Sequence, residues 1–285
     1  MASVPELRLG LIGRGISRSL APRLHPLLGQ RHGLRIRYEL IDADSIPGFD
    51  LLRVSQEKQR AGFAGLNITR PFKQGLLDHV RIEDPQIRRI ESINSLRFTR
   101  DGWIATSTDY SGFLRAYRRR FDANHPGDVV LIGAGGVGRA VGFALAELGA
   151  SRIAIYDVDN VAAGILARSI HDRLNVPTQV LSPETLPDAM EVAQGLANCS
   201  QVGMYSSPGT PFPSDRLRGR KWAFDAVYTP PATRFLKEAD AAGLAILPGF
   251  DLFFFQGLDA FTFFTGIRPD PDALWREVSG WATEK

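Results

Sequence analysis

The 285-residue sequence holds one cysteine, Cys199, so no disulfide can form within the chain, and a reducing cytoplasmic setting is expected. No apolar run reaches the length of a membrane-spanning helix. The start, Met1-Ala2-Ser3-Val4-Pro5-Glu6, shows no basic region leading into an apolar core and so no sign of a secretory signal. His25, His32, His79, His125 and His171 form no H-x-x-x-H pair, and C-x-x-C is absent, so metal catalysis is poorly supported and no metal is expected. A G-x-S-x-G elbow is missing too, which leaves a Ser-His-Asp hydrolase without its signature. Net charge is only +3. The one basic cluster, Arg115 with Arg118, Arg119 and Arg120, comes with no nucleic-acid motif and reads as the solvated face of a helix ending near Phe121. Neither a nucleic acid nor a membrane is expected as a partner.

What is present suits a soluble globular protein: 44% apolar and 23% charged residues, with length for two domains. The organising stretch is 129–157. Val129-Val130-Leu131-Ile132 has strand length and runs into Gly133-Ala134-Gly135-Gly136-Val137-Gly138, a G-x-G-x-x-G. An alanine-rich helical stretch follows to about Leu148, Gly149 stops it, and Arg152 to Tyr156 reads as a second strand closed by Asp157. The glycines allow a tight turn, backbone approach to a pyrophosphate and close helix–strand packing. The helix start then offers N–H groups and a positive dipole end to phosphates. Asp157 suits the ribose hydroxyls of an unphosphorylated adenosine, and Val158-Asp159 supplies no Arg for a 2′-phosphate, so NAD is favoured over NADP. A plainer role for Asp157 is to cap the following helix.

In chain order, Leu7 to Gly13 reads as a first strand. A polar loop turns into a helix whose first turn holds Pro22. A strand over Arg35 to Ile41, a helix near 48–60 and a third strand over Gly62 to Thr69 follow, and Arg70-Pro71-Phe72-Lys73 is expected to open another helix. Ser17, Ser19, Asn67, Thr69 and Lys73 fall at or past strand carboxyl ends, and Asn94, Ser95, Ser107, Thr108 and Asp109 repeat the pattern. That edge of an open α/β sheet is where ligands sit, and these side chains suit a small polyhydroxylated acid. Singly, Asn94 also reads as a turn residue and Ser19 as a helix cap. Beyond Asp157 the alternation continues to Leu244–Leu247, predicting a six-stranded doubly wound parallel sheet. The Phe-rich tail, 250–285, reads as helical and is expected to pack back on the first domain.

With metal and serine chemistry unsupported, hydride transfer remains, and the protein must then hold the substrate and manage one proton. Lys73 is the candidate proton acceptor, with Asp109 able to hold the amine as a dyad. From bare residues alone, a surface lysine in a helix's first turn is the favoured reading of Lys73, since lysine is almost always exposed.

Several motifs in order resemble the shikimate/quinate dehydrogenase family along nearly the whole chain. They are Leu11-Ile12-Gly13 through Ser19-Leu20-Ala21-Pro22-Arg23-Leu24-His25, then Asn67-Ile68-Thr69-Arg70-Pro71-Phe72-Lys73, then Ile93-Asn94-Ser95 and Ser107-Thr108-Asp109. Asn198-Cys199-Ser200-Gln201-Val202-Gly203-Met204, Tyr228, Phe255-Gln256-Gly257 and Phe261 to Gly266 complete the likeness. The resemblance implies an α/β fold in two parts: a substrate domain at 1–109 completed by helices at 250–285, and a Rossmann domain at 110–249 that binds NAD. It implies interconversion of a C3 hydroxyl and ketone on a cyclic carboxylate, quinate or shikimate, with Lys73 and Asp109 catalytic. Ser19 with Tyr228 would hold the carboxylate, Asn67, Thr69, Asn94, Asp109 and Gln256 the ring hydroxyls, and Ser17 would be a further substrate contact. Cofactor contacts would come from Gly133, Ala134, Gly135, Gly136, Val137, Gly138 and Asp157, with Cys199, Ser200, Gly203, Ala226, Val227 and Gly249 on the nicotinamide side. A monomer or homodimer is expected.

The departures bear on substrate choice. Ala21 stands where the family usually has Ser or Thr, which removes one hydrogen bond to the carboxylate, worth about 1.5–3 kcal/mol when charge-assisted. Ser107 replaces an asparagine, Ser95 a threonine and Leu252 a methionine. Asp157-Val158-Asp159 replaces the Asn-Arg-Thr cluster of NADP-using biosynthetic members, so the chain resembles the NAD-using branch. A biosynthetic NADP enzyme, a member acting on another acid such as aminoshikimate, and a non-catalytic NAD-binding regulator are the alternatives.

Overall fold

Glu6–Gly13 enters as strand β1, its last five residues all buried, and lies parallel between β2 (Arg35–Asp42) and β3 (Gly65–Ile68). Helix α1 (Ala21–Arg31) makes the first crossover with Pro22 in its opening turn, and α2 (Leu51–Arg60) makes the second. Asp50 starts α2 by accepting from Arg53 N at 2.6 Å. The computed structural model describes residues 4–282.

After β3 the pairing turns from parallel to antiparallel. Beyond α3 (Pro85–Ile90), β4 (Ser95–Thr99) runs antiparallel to β3, and β5 (Gly102–Thr106) antiparallel to β4, giving the order β2-β1-β3-β4-β5. Asn94 and Ser95 therefore stand at the start of a strand, not past its carboxyl end. Antiparallel pairing still brings them to the expected edge, because Ser95 faces Asn67 on one side and Thr106 on the other. The expected helix at Arg70–Lys73 does not form among the described residues. The chain instead takes three-residue turns, Phe72 N to Thr69 O and Gly75 N to Phe72 O, both 2.9 Å. Two causes are visible: Pro71 biases Arg70 away from helical dihedrals, and the Lys73 carbonyl accepts from Ile93 N at 2.8 Å rather than from a helical successor.

Helix α4 (Thr108–Phe121) leads into six parallel strands: β6 (Asp128–Ile132), β7 (Arg152–Tyr156), β8 (Thr178–Val180), β9 (Gly195–Asn198), β10 (Trp222–Asp225) and β11 (Ala245–Leu247). Their order, β11-β10-β9-β6-β7-β8, is the doubly wound arrangement, with the strand order reversing between β6 and β9 while all strands stay parallel. The crossovers are α5 (Gly136–Glu147), α6 (Asn160–Leu174), α7 (Leu186–Val192) and α8 (Arg234–Ala241). Val130, Ile132, Leu196, Phe212, Phe235 and their neighbours form a buried core on one face of this sheet. Arg118, Arg119 and Arg120 of α4 are exposed, as the solvated-face reading expects, whereas Arg115 is half-buried and lies over the Phe255 ring.

Two helices close the chain: α9 (Gly249–Thr265) and α10 (Pro271–Val278). The chain divides into two units, one running to Thr108 and completed by Gln256–Leu274, the other Asp109–Phe255 with the residues from Trp275 onward. In the first unit Phe264 of α9 packs on β3, where a Cβ built at Gly65 would lie 2.6 Å from the Phe264 ring. Among the described residues no helix is long and apolar enough to cross a membrane.

Candidate active site

The expected substrate residues of the first unit gather on the β1–β3–β4 edge. Asn67, at 6% exposure, accepts from the Tyr38 hydroxyl at 2.7 Å, while its Nδ2 donates to Asn94 O at 3.2 Å and Ser95 Oγ at 2.9 Å. Both amide hydrogens are thus committed within the protein, and only acceptor capacity on Oδ1 is left for a substrate hydroxyl. Asn94 Nδ2 donates to Thr108 Oγ1 at 2.9 Å and to Gln256 Oε1 at 3.3 Å; its Oδ1 accepts from Thr108 N at 2.7 Å. One buried network therefore joins Asn67, Asn94 and Gln256, residues far apart in sequence, and Thr108 ties it to the start of α4.

Lys73 is 7% exposed and sits in the turn after β3, which removes the surface-lysine reading. Thr69 precedes that turn, anchored by its N–H to Ile12 O at 2.9 Å. Asp109, 5% exposed, lies in the first turn of α4 directly after Thr108 and opens the second unit.

Ser17 and Ser19 occupy the loop between β1 and α1, Ser17 exposed and Ser19 half-buried. Ser19 precedes Leu20, the N-cap of α1, which makes no side-chain cap bond, so Ser19 is not the cap its position suggested; its Oγ accepts from Ala21 N at 3.2 Å and keeps its hydrogen for another partner. Asp42 pins the same loop, its carboxylate accepting from Gly15 N at 3.2 Å and Ile16 N at 3.1 Å. Burial pushes the Asp42 carboxyl up, but the N–H groups of Asp44, Ile16 and Gly15, aided by the Arg14 charge, outweigh it and hold the group below the usual range.

In the second unit the glycine-rich turn follows β6 and Cys199 follows β9, the strands flanking the reversal of strand order. Cys199 N donates to Ile132 O at 2.7 Å, so the two segments leave the sheet side by side. A Cβ at Gly138 would lie 1.8 Å from Gly133 O, so only glycine lets α5 start this close to the turn. No side chain caps α5, whose N-cap is Gly135, and a Cβ built there meets nothing within 4 Å. An open, uncapped helix start framed by backbone fits a pyrophosphate. Ala134, Gly136 and Val137 complete that turn. Asp157 Oδ2 accepts from Ala134 N at 2.6 Å and Oδ1 from Asp159 N at 2.9 Å. The cap of α6 is Asp159, bonded to Val161 N and Ala162 N, so the capping alternative for Asp157 falls. Ser200 Oγ donates to Asn198 Oδ1 at 2.7 Å, and Gly203 N donates to Ser207 O at 2.8 Å. Ala226 N donates to Asn198 O at 2.8 Å. Gly249 faces the carbonyls of Asp225, Ala226 and Val227, which a Cβ would approach to 2.6–2.8 Å. Tyr228 stacks on Phe253 with centroids 5.0 Å apart.

Nothing local in the sequence marks Tyr38 or Asp42 as site residues; only the β1–β2–β3 pairing brings them in.

A family model for the shikimate dehydrogenase substrate binding domain matches residues 11–96. A shikimate dehydrogenase (NADP(+)) of Streptomyces avermitilis is 36% identical over 279 residues, covering 95% of this chain and 94% of that protein. The chain belongs to the shikimate/quinate dehydrogenase family. Within the family, a quinate/shikimate dehydrogenase (NAD(+)) of Corynebacterium efficiens is 33% identical, covering 94% of this chain and 96% of that one. Among solved structures, the quinate dehydrogenase of Corynebacterium glutamicum in complex with NAD matches with a TM-score of 0.88 at 32% identity, over 97% of this chain and 99% of that chain.

Proposed function

We propose that this member of the family is an NAD-preferring dehydrogenase that interconverts quinate or shikimate with the 3-dehydro ketone. The observation that carries the cofactor preference is Asp157. Its carboxylate ends β7 and is fastened to the glycine-rich turn through Ala134 N at 2.6 Å, with no Arg at 158 or 159 to meet a 2′-phosphate. The NAD complex of the quinate dehydrogenase relative supports the same reading.

Bound at the turn after β6, a nicotinamide nucleotide supplies the hydride acceptor for oxidation and the donor for reduction. The Gly133–Gly138 turn and the α5 N-terminus would hold its phosphates, Asp157 its ribose, and the segments at Cys199–Gly203, Ala226–Val227 and Gly249 its nicotinamide end. Lys73 takes the proton of the hydroxyl under oxidation and returns it on reduction, and Asp109 shares that proton. Asn67, Thr69, Asn94 and Gln256 orient the ring hydroxyls. Ser19 and Tyr228 hold the carboxylate, with Ser17 a further substrate contact. The Asn67–Asn94–Gln256 network is already formed, so the chain spends little ordering on binding.

A second reading, a biosynthetic NADP enzyme, is favoured by the relatives named for NADP, which reach 36–37% identity against 33–34% for those named for NAD. Initial rates on quinate and on shikimate, each with NAD and with NADP, decide. Dominant NAD turnover is expected; dominant NADP turnover would replace the first reading with the second.

A further inference from the structure

One carboxylate of the second unit lies outside every role assigned so far. Asp225 ends β10, is fully buried and has no basic side chain in hydrogen-bond or ion-pair contact among the described residues. Its partners are three uncharged donors. Oδ1 accepts from Asn198 Nδ2 at 2.9 Å and Val227 N at 3.0 Å, and Oδ2 from Thr233 Oγ1 at 2.6 Å. A buried charge without a cation is costly, and hydrogen bonds must offset it.

Each donor leads to a different segment. Asn198 ends β9, and its amide organises the loop that follows: Nδ2 also donates to Val202 O at 2.9 Å, while Oδ1 accepts from Ser200 N at 3.0 Å and Ser200 Oγ at 2.7 Å. Ser200 Oγ in turn accepts from Val202 N at 3.2 Å. Val227 lies in the strand exit whose carbonyls pack on Gly249. Thr233 caps α8, accepting from Leu236 N at 3.3 Å, and its methyl would lie 3.5 Å from a Cβ at Gly203. The amide orientation of Asn198 is set from Asp225: a carboxylate can only accept, so Nδ2 must face it and Oδ1 must face Ser200. Flipping that amide would cost the bonds to Asp225, Val202 and Ser200 together.

We propose that Asp225 is the positioning residue of the nicotinamide side, fixing the 198–203 loop through Asn198 and the 226–227 exit through Val227. The proposal rests on the reading of those segments as nucleotide contacts. Asp225 touches no reacting atom and acts through the backbone it holds.

The test compares the full-length wild type with Asp225→Asn, Thr233→Val and Thr233→Ser. Nucleotide Kd is read by fluorescence titration, KM for NAD and for the acid by initial rates, and folding by thermal melting. Asparagine keeps the shape but turns one acceptor into a donor. Asp225→Asn is expected to raise Kd and KM for NAD about tenfold, the scale of one charge-assisted hydrogen bond, with KM for the acid unchanged. Thr233→Val should shift the same two constants, and Thr233→Ser, which keeps the hydroxyl, should restore them. Lowered melting temperatures with unchanged nucleotide constants would make Asp225 a folding residue only and overturn the proposal. If the wild type binds NAD and oxidises neither acid, the functional reading fails alone, and Kd still decides the role of Asp225. A wild type that binds no nucleotide overturns both.

Discussion

His25 makes the first unit acid-sensitive by an amount that can be worked out. The ring is 2% exposed, stacks on Tyr38 with centroids 4.6 Å apart and planes 8° apart, and leaves Nδ1 without a hydrogen-bond partner. Burial pushes its pKa down from 6.5 to about 3. In the unfolded chain the same ring takes a proton near 6.5. Between those values the unfolded state binds more protons, so stability is full above pH 6.5 and drains as pH falls toward about 3. Integrating the two titrations between pH 7 and pH 5 gives a loss of about 2 kcal/mol from this residue alone. The perturbation is His25→Phe, which keeps an aromatic ring against Tyr38 and removes the titration. Urea unfolding of both proteins at several pH values, read on Trp103, the only tryptophan of the first unit, gives stability by linear extrapolation. The variant is expected to lose about 2 kcal/mol less than the wild type over that range, whatever its absolute stability at pH 7, because carboxylate titrations are common to both. Parallel pH curves would refute the account.

Four further outcomes are expected. Lys73→Ala should lower kcat by about 10²–10⁴-fold with nucleotide Kd unchanged, the scale of a lost general base; near-normal turnover would take the proton-transfer role away from Lys73, and a wild type that binds nucleotide without turnover would point to the non-catalytic regulator. Asp157→Asn should cut the ratio of kcat/KM for NAD over NADP by about tenfold, since the charge repelling a 2′-phosphate goes while an acceptor for Ala134 N stays. Ala21→Ser should lower KM for the acid by supplying the missing hydroxyl, measured on quinate and shikimate in parallel. Gly249→Ala should destabilise the second unit by about 1–3 kcal/mol, because the added methyl meets three carbonyls at 2.6–2.8 Å; thermal melting checks it.

The nucleotide half of the fold was legible because its signals are local. Val129–Ile132, the glycines, an alanine-rich helix and the acid at 157 follow one another, and the structure sets β6, α5 and β7 on them in turn. The β4–β5 hairpin is signalled locally only by Asp101-Gly102 between two short runs, and the polar residues at its ends resemble strand exits of a parallel sheet. The helix expected at Lys73 failed on a long-range bond from Ile93 N that no local pattern shows. The same limit holds for the site. Asn67 reads as a hydroxyl ligand from its motif, but only pairing across β1, β2 and β3 brings Tyr38 to it and commits its amide.

The first unit is interrupted by the second and finished only by Gln256–Leu274, and this sets a timetable during synthesis. When β1 to β5 have been made, 147 more residues (109–255) must follow before Phe264 can cover Gly65 or the Phe263 carbonyl can receive Arg97. At about 5–20 residues per second that is a wait of roughly 7–30 s. Throughout it the nascent first sheet lacks its helical cover, while by its end the later-made nucleotide unit holds every strand it needs. A ribosome-bound chain stopped shortly after Leu274 has emerged should therefore carry a nearly complete second unit and a first unit only just able to close.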